Sequence, residues 1–197
     1  HFYLAKEWVN KGHNVTIVGA TYSHLRVHNP HITNDIGEEY IDGVRYVWLK
    51  TPTYEGNGLG RVRNIITFLW RIFINHEYIN KSFKPNVVIA SSTYPLITYL
   101  AKRIADNHKA KLVYEVRDLW PLTLRELGNM SAYHPFIIAM QIAENYTYRI
   151  SDKIIGSTQE MQEYIVEHGM LKGNFTYIPN GVSVEEWTTS TKDSELP

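Results

Sequence analysis

Short apolar runs rich in β-branched residues alternate with helix-patterned stretches along almost all of this 197-residue chain. That order constrains the fold more than any other feature. Strands that each return through a helix lie parallel in one sheet, with helices on its faces. The run Asn86-Val87-Val88-Ile89-Ala90 is the most telling. Its unbroken apolar character predicts a parallel strand buried on both faces, because a solvated face would need polar residues in alternation. Similar chemistry predicts strands at 15–18, 43–49, 111–116, 153–156 and 175–178.

The segments between them read as helices or loops. Phe2, Ala5 and Val9, with Leu4 and Trp8, form a helical stripe, and Gly12 closes that helix. A long helix is predicted from Arg61 to about Phe83, ended by Lys84-Pro85. Further helices follow up to about Asn107 and over 135–150. Another is opened by Ser157-Thr158-Gln159-Glu160 at capping-box spacing and closed by Gly169. Residues 21–42 show no period and read as mostly loop, as does the glycine-rich stretch 54–60. The expected fold is α/β: a Rossmann-like, doubly wound, mostly parallel sheet over 1–182, followed by a polar linker or tail at 183–197.

Composition narrows the function classes. A content of 44% hydrophobic residues suits a sizeable core. The 20 basic and 20 acidic residues balance, which disfavours a nucleic-acid partner. With no cysteine, disulfide and thiolate chemistry are excluded, in keeping with a reducing compartment. No apolar run approaches the roughly 18 residues of a membrane span, and no signal-peptide pattern is visible. His1 to Lys6 already read as helix, so the fold is expected to begin before His1.

In open α/β sheets, ligands bind outside the C-terminal ends of the strands. Those ends carry Ser91-Ser92-Thr93-Tyr94, Glu115-Val116-Arg117-Asp118, Gly156-Ser157-Thr158 and Asn180-Gly181. Asp118 can accept a hydrogen bond from a substrate hydroxyl or stabilise developing positive charge. Arg117 can grip a phosphate with two parallel hydrogen bonds. Equally, the two can pair with each other, or Asp118 can cap the next turn. Ser92 and Tyr94 lie beside Asp118 if their strands are neighbours, and can bind ligand or cap their own helix. Arg125 and Glu126 can line the same cleft or form an exposed ion pair. Trp120 suits core packing better than sugar stacking.

Two other patterns stand apart. Residues 61–73 interleave Arg61, Arg63 and Trp70 with many apolar residues, which suits a membrane-surface helix or a helix packed on the sheet. His24, His28 and His31 share a loop without an acid cluster, so no metal site is assigned. The Asn-x-Ser/Thr patterns at Asn14, Asn129, Asn145 and Asn174 are read as chance.

Four motifs then occur in order: Lys11-Gly12-His13-x-Val15-Thr16, Ser91-Ser92-x-x-Pro95, Asp118-Leu119-Trp120-Pro121 and Ile178-Pro179-Asn180-Gly181-Val182. Together they resemble the N-terminal, acceptor-side domain of family 4 glycosyltransferases of the GT-B type, in the bacterial surface-polysaccharide branch. The resemblance implies two Rossmann-like lobes and sugar transfer with retention of configuration, without metal or cofactor. The donor is a nucleotide-sugar bound mainly by the C-terminal lobe. The acceptor is a glycan or a lipid-linked glycan at the inner face of the cytoplasmic membrane. It also implies that Asp118 is catalytic, with Arg117, Ser92, Tyr94, Arg125 and Glu126 binding acceptor and Asn180-Gly181 beside the inter-lobe cleft. On this reading a first, central strand precedes His1 and a donor lobe follows Pro197, so the chain alone is expected to be inactive. A sugar-nucleotide epimerase of the same fold and a non-catalytic glycan- or lipid-binding module are the alternatives.

Overall fold

The computed structural model describes residues 1–181 apart from Leu25, Asn57, Thr93, Lys172 and the side chain of Ser92. The linker expected at 183–197 lies outside the described residues. The chain forms two compact units, His1–Lys84 and Pro85–Pro197.

The first unit begins with α1 (Phe2–Asn10), which ends as its sequence requires. Gly12, at φ +86°, lets its N–H reach the Val9 carbonyl (2.9 Å) while the His13 N–H reaches Trp8 (3.0 Å). These are the two bonds of a Schellman cap. Strands β1 (Thr16–Ala20), β2 (Ile36–Ile41) and β3 (Val44–Leu49) follow. They form a sheet of order β1-β3-β2, with β1 parallel and β2 antiparallel to β3. All six residues of β3 are buried. Ala5, Val44, Tyr46 and Trp48 centre this core, with Phe2, Val9 and Ile17 against them. The buried Arg45 is held by the Glu38 carboxylate (3.0 Å) and the Ile79 carbonyl (2.6 Å).

Two expectations fail in this unit. Residues 36–41, read as loop, form strand β2, which is turned back onto β3 by Asp42 (φ +48°) and Gly43 (φ +78°). Asp-Gly with both φ values positive makes a two-residue hairpin turn. The long helix expected over 61–83 is instead α2 (Leu59–Ile74) followed by the short α3 (His76–Ile79). At Asn75 the amide side chain donates to the Arg71 carbonyl (2.8 Å), which the backbone N–H of Asn75 also reaches (3.1 Å). A local side-chain bond of this kind competes with helix propagation.

The second unit contains β4 (Val87–Ser92), α4 (Ile97–His108), β5 (Lys111–Val116), α5 (Leu122–Glu126), α6 (Pro135–Ile150), β6 (Lys153–Gly156), α7 (Met161–Glu167) and β7 (Phe175–Tyr177). Its four strands are all parallel, in the order β4-β5-β6-β7. Leu112, Tyr114, Val116, Ile154 and Ile165 are buried with Ala101, Ala105 and Tyr148 from the helices. Each large aliphatic in that set contributes about 2 kcal/mol by leaving water.

The strand expected to be buried on both faces is half right. The register pairs β4 with β5, but within its sheet β4 is an edge, and Val87 and Ile89 are 51% and 40% exposed. The capping box expected at Ser157–Glu160 does not form. Helix α7 starts at Met161, with Glu160 at its N-cap and no side-chain cap bond. Gly169 (φ +113°) closes α7 with the same pair of bonds as Gly12, from Gly169 to Val166 (3.2 Å) and from Met170 to Ile165 (3.1 Å).

Candidate functional site

Because β4, β5, β6 and β7 run parallel, their C-terminal ends fall on one edge of the second unit's sheet. The register sets Ser92 beside Val116 and Gly156 beside Tyr177. Ser92 thus lies next to the strand whose continuation is Arg117-Asp118, as its sequence position anticipated. Its side chain lies outside the described residues. Asn180 and Gly181 follow β7 and are exposed on the same edge, after an Ile178 N–H bond to the Gly156 carbonyl (3.0 Å). With strands about 4.8 Å apart, β7 sits about 10 Å from β5.

Asp118 is exposed, and among the described residues its carboxylate makes no hydrogen bond or ion pair. Both structural roles open at the sequence level are absent. Arg117 pairs with Glu115 (3.5 Å), not with Asp118. The N-cap of α5 is Pro121, without a side-chain cap bond. The backbone carbonyl of Asp118 accepts from the Trp120 N–H (3.1 Å), which folds the chain into a tight turn. The turn continues through a cis Trp120–Pro121 bond into α5, with Pro121 buried. Trp120 meets Phe136 edge-on at 6.4 Å, which favours the packing role for its ring. An exposed carboxylate without a partner among the described residues therefore lies two residues past the end of β5, next to a tight turn.

The neighbouring candidates fall around it. Tyr94 is half-buried between β4 and α4. The N-cap of α4 is Leu96, with no side-chain cap, and the Thr98 N–H uses the Pro95 carbonyl (3.0 Å). Arg125 and Glu126 are exposed on the last turn of α5, and no ion pair joins them.

Behind β5 lies a group that the sequence reading did not single out. Glu144 of α6 is 1% exposed. Its carboxylate accepts from the Tyr148 hydroxyl (2.9 Å), the Tyr164 hydroxyl (2.9 Å) and the Gln141 amide (2.9 Å). Burial pushes its pKa up, and the three donors offset part of that rise. Tyr114 of β5 packs edge-on against Tyr148 at 6.1 Å, so the network ties α6 and α7 beneath the strand that carries the site. No local pattern marks it: Tyr148 stands four residues along the same helix, but Tyr164 comes from α7.

In the first unit, α2 buries Asn64, Phe68 and Ile72 and turns Ile66 (60% exposed), Trp70 (59%) and Ile74 (51%) outward. One face of the helix packs on its unit, and the opposite face is apolar and exposed. Trp70 stacks on Phe73 at 5.7 Å, Arg63 is exposed and Arg61 is half-buried. His24 bonds the Tyr54 hydroxyl through Nδ1 (2.8 Å). Among the described residues no group of three or more His, Cys, Asp or Glu is placed to hold a metal ion. No helix among them is long and apolar enough to cross a membrane.

The family model of the glycosyl transferase 4-like domain matches residues 2–181, a span that takes in the candidate site and nearly all of the ordered motifs. The chain belongs to that family. This glycosyl transferase 4-like domain has the α/β fold of the N-terminal domains of GT-B enzymes. Sucrose-phosphate synthase from Thermosynechococcus elongatus superposes on it with a TM-score of 0.65 at 12% identity, over 99% of this chain and 46% of that one. A second structure of the same synthase gives a TM-score of 0.57 at 12% identity, over 98% of this chain and 91% of that one. The chain thus spans about half the length of the first of these structures, and at such identity the likeness is one of fold. No curated protein sequence matches significantly.

Proposed function

We propose that residues 1–182 are the acceptor-side domain of a retaining glycosyltransferase, joined by 183–197 to a donor lobe. The supporting observation is the Asp118 carboxylate just past the C-terminal end of β5, exposed and without a partner among the described residues, in a glycosyl transferase 4-like domain. A sugar transferred with retention passes through an oxocarbenium-like state, and a carboxylate nearby stabilises the positive charge that develops. The same oxygens can accept the proton-bearing hydroxyl of an acceptor and orient it. Arg117, steadied by Glu115, would hold an acceptor phosphate, and Ser92, Tyr94, Arg125 and Glu126 would hydrogen-bond the acceptor glycan. Asn180 and Gly181 would border the cleft between lobes. The donor is a nucleotide-sugar held mainly by the other lobe.

The acceptor class is a glycan or lipid-linked glycan of bacterial surface-polysaccharide synthesis, handled at the inner face of the cytoplasmic membrane. The outward apolar face of α2, with Arg61, Arg63 and Trp70, supports a peripheral contact with that membrane.

The test is Asp118→Ala in the full-length enzyme. Loss of one preorganised charge should cut kcat by about 10²–10³-fold. Because the side chain is exposed and unpaired, thermal stability should shift by no more than about 0.5 kcal/mol. Unchanged kcat would remove Asp118 from the mechanism.

A further inference from the structure

The C-terminal end of β3 opens onto a second feature, separate from Asp118. A cleft of about 310 Å³ lies there, lined by Lys50 and Thr51 after β3, by Arg63, Thr67 and Arg71 of α2, and by Asp35. Arg63, Thr67 and Arg71 are spaced four residues apart, which stacks them in one row along the helix. The cleft therefore gathers cations from two elements, three against the single carboxylate of Asp35. In a chain whose charges balance overall, that excess is local.

The cations are not equally engaged. Arg71 is committed: its guanidinium bonds the Asp35 carboxylate (2.8 Å) and the Asp35 carbonyl (3.0 Å). Among the described residues Lys50 donates to the Thr33 carbonyl at 3.5 Å, and its charge also acts on the Asp35 carboxylate. The Arg63 guanidinium has no partner among the described residues. The floor is rigid, because Asn64 clamps α2 to the strand end through Thr51 Oγ1 (3.0 Å) and the Pro52 carbonyl (2.7 Å). Arg63, without a partner among the described residues, and the weakly held Lys50 stand above this floor at the end of a strand parallel to its neighbour β1, a concave site with an excess of positive charge where α/β sheets receive ligands.

We propose that this cleft is an anion-binding site for a phosphate or pyrophosphate group, held by Arg63 and Lys50 with Arg71 setting the far wall. Guanidinium binds phosphate oxygens through paired N–H donors, and the ammonium adds a point charge. The exposed face of α2 with Ile66 and Trp70 adjoins the Arg63 row, so the phosphate can be that of a lipid or of a soluble ligand. The site does not depend on the role given to Asp118.

Calorimetric titration of the chain with inorganic pyrophosphate at low salt tests it. The Lys50→Gln/Arg63→Gln double variant should weaken binding at least tenfold. Lys102→Gln, which removes a cation paired with Asp106 on α4, should leave it unchanged. Circular dichroism checks that each variant folds. No pyrophosphate binding by the parent chain, or equal affinity in the double variant, overturns the proposal. Sedimentation with phosphatidylcholine vesicles, with and without 20% phosphatidic acid, then separates the sources. Pyrophosphate binding with acid-dependent vesicle binding that the double variant loses supports a lipid phosphate. Pyrophosphate binding without vesicle binding supports a soluble one. If Trp70→Ala abolishes vesicle binding while pyrophosphate still binds, the membrane contact and the anion site are both upheld as separate features.

Discussion

Glu144 and Asp118 are both carboxylates, and their surroundings give them opposite chemistry. Asp118 is exposed to water, without a hydrogen-bond or ion-pair partner among the described residues. Glu144 is enclosed by Tyr148, Tyr164 and Gln141, with Tyr114 of β5 and His168, just past α7, also facing it. Because burial raises its pKa in the folded state, the folded protein keeps a proton that the unfolded chain has already lost. Stability therefore falls as pH rises from the ordinary glutamate value through the raised one, and that loss is complete above it. Urea unfolding between pH 4 and 8 should show this decline in the parent protein and a flatter profile in Glu144→Gln. Parallel profiles in the two proteins would mean that Glu144 titrates normally. Asp118 could be singled out from the sequence because it lies two residues past the end of a largely apolar strand. Glu144 could not, since nothing local distinguishes it from a solvated helix residue until β5 and α7 pack over it.

The hairpin of β2 and β3 turns on a single residue. Gly43 adopts φ +78°, and a Cβ placed there would meet Val9 Cγ1 at 2.8 Å. Gly43→Ala should cost about 2 kcal/mol, combining left-handed backbone strain with a clash against α1. Chemical denaturation measures the loss, and a change below about 0.5 kcal/mol would show that the turn relaxes freely. Strand β2 escaped the sequence reading because Ile36-Gly37-Glu38-Glu39-Tyr40-Ile41 lacks clean alternation. Its conformation is imposed by pairing with β3, and the Asp42-Gly43 signal lies outside the strand itself. The end of α2 has a similar origin: the apolar pattern runs on past Asn75, but the side chain of that residue takes the Arg71 carbonyl. The strands β5 and β6 and the helix α6 carried enough local pattern for their boundaries to be read directly.

For the whole molecule, the proposed division of labour between lobes has a direct consequence. An acceptor-side domain supplies one wall of the reaction site, whereas the groups that hold the donor phosphates and sugar belong mainly to the other lobe. Catalysis needs both sets preorganised around the transition state. The purified 197-residue chain should accordingly release no nucleotide from UDP-, GDP- or dTDP-sugars above background, in a coupled nucleotide-release assay. Measurable turnover by this chain would overturn the assignment of the donor site to another lobe.

The sequence by itself determined the alternation of strands and helices, the parallel direction of most strands, and the polar residues that follow each strand end. These are local properties: periodicity and chain adjacency express them without reference to distant residues. The tertiary structure alone decided that β4 is an edge within its sheet, that 36–41 pairs as β2, and that Arg117 turns to Glu115 and not to Asp118. It also decided that Glu144 is enclosed and that Lys50, Arg63 and Arg71 share a cleft. Each of these depends on which side chains from separate elements come within a few ångströms, and burial, pairing and local charge are set only once those elements pack.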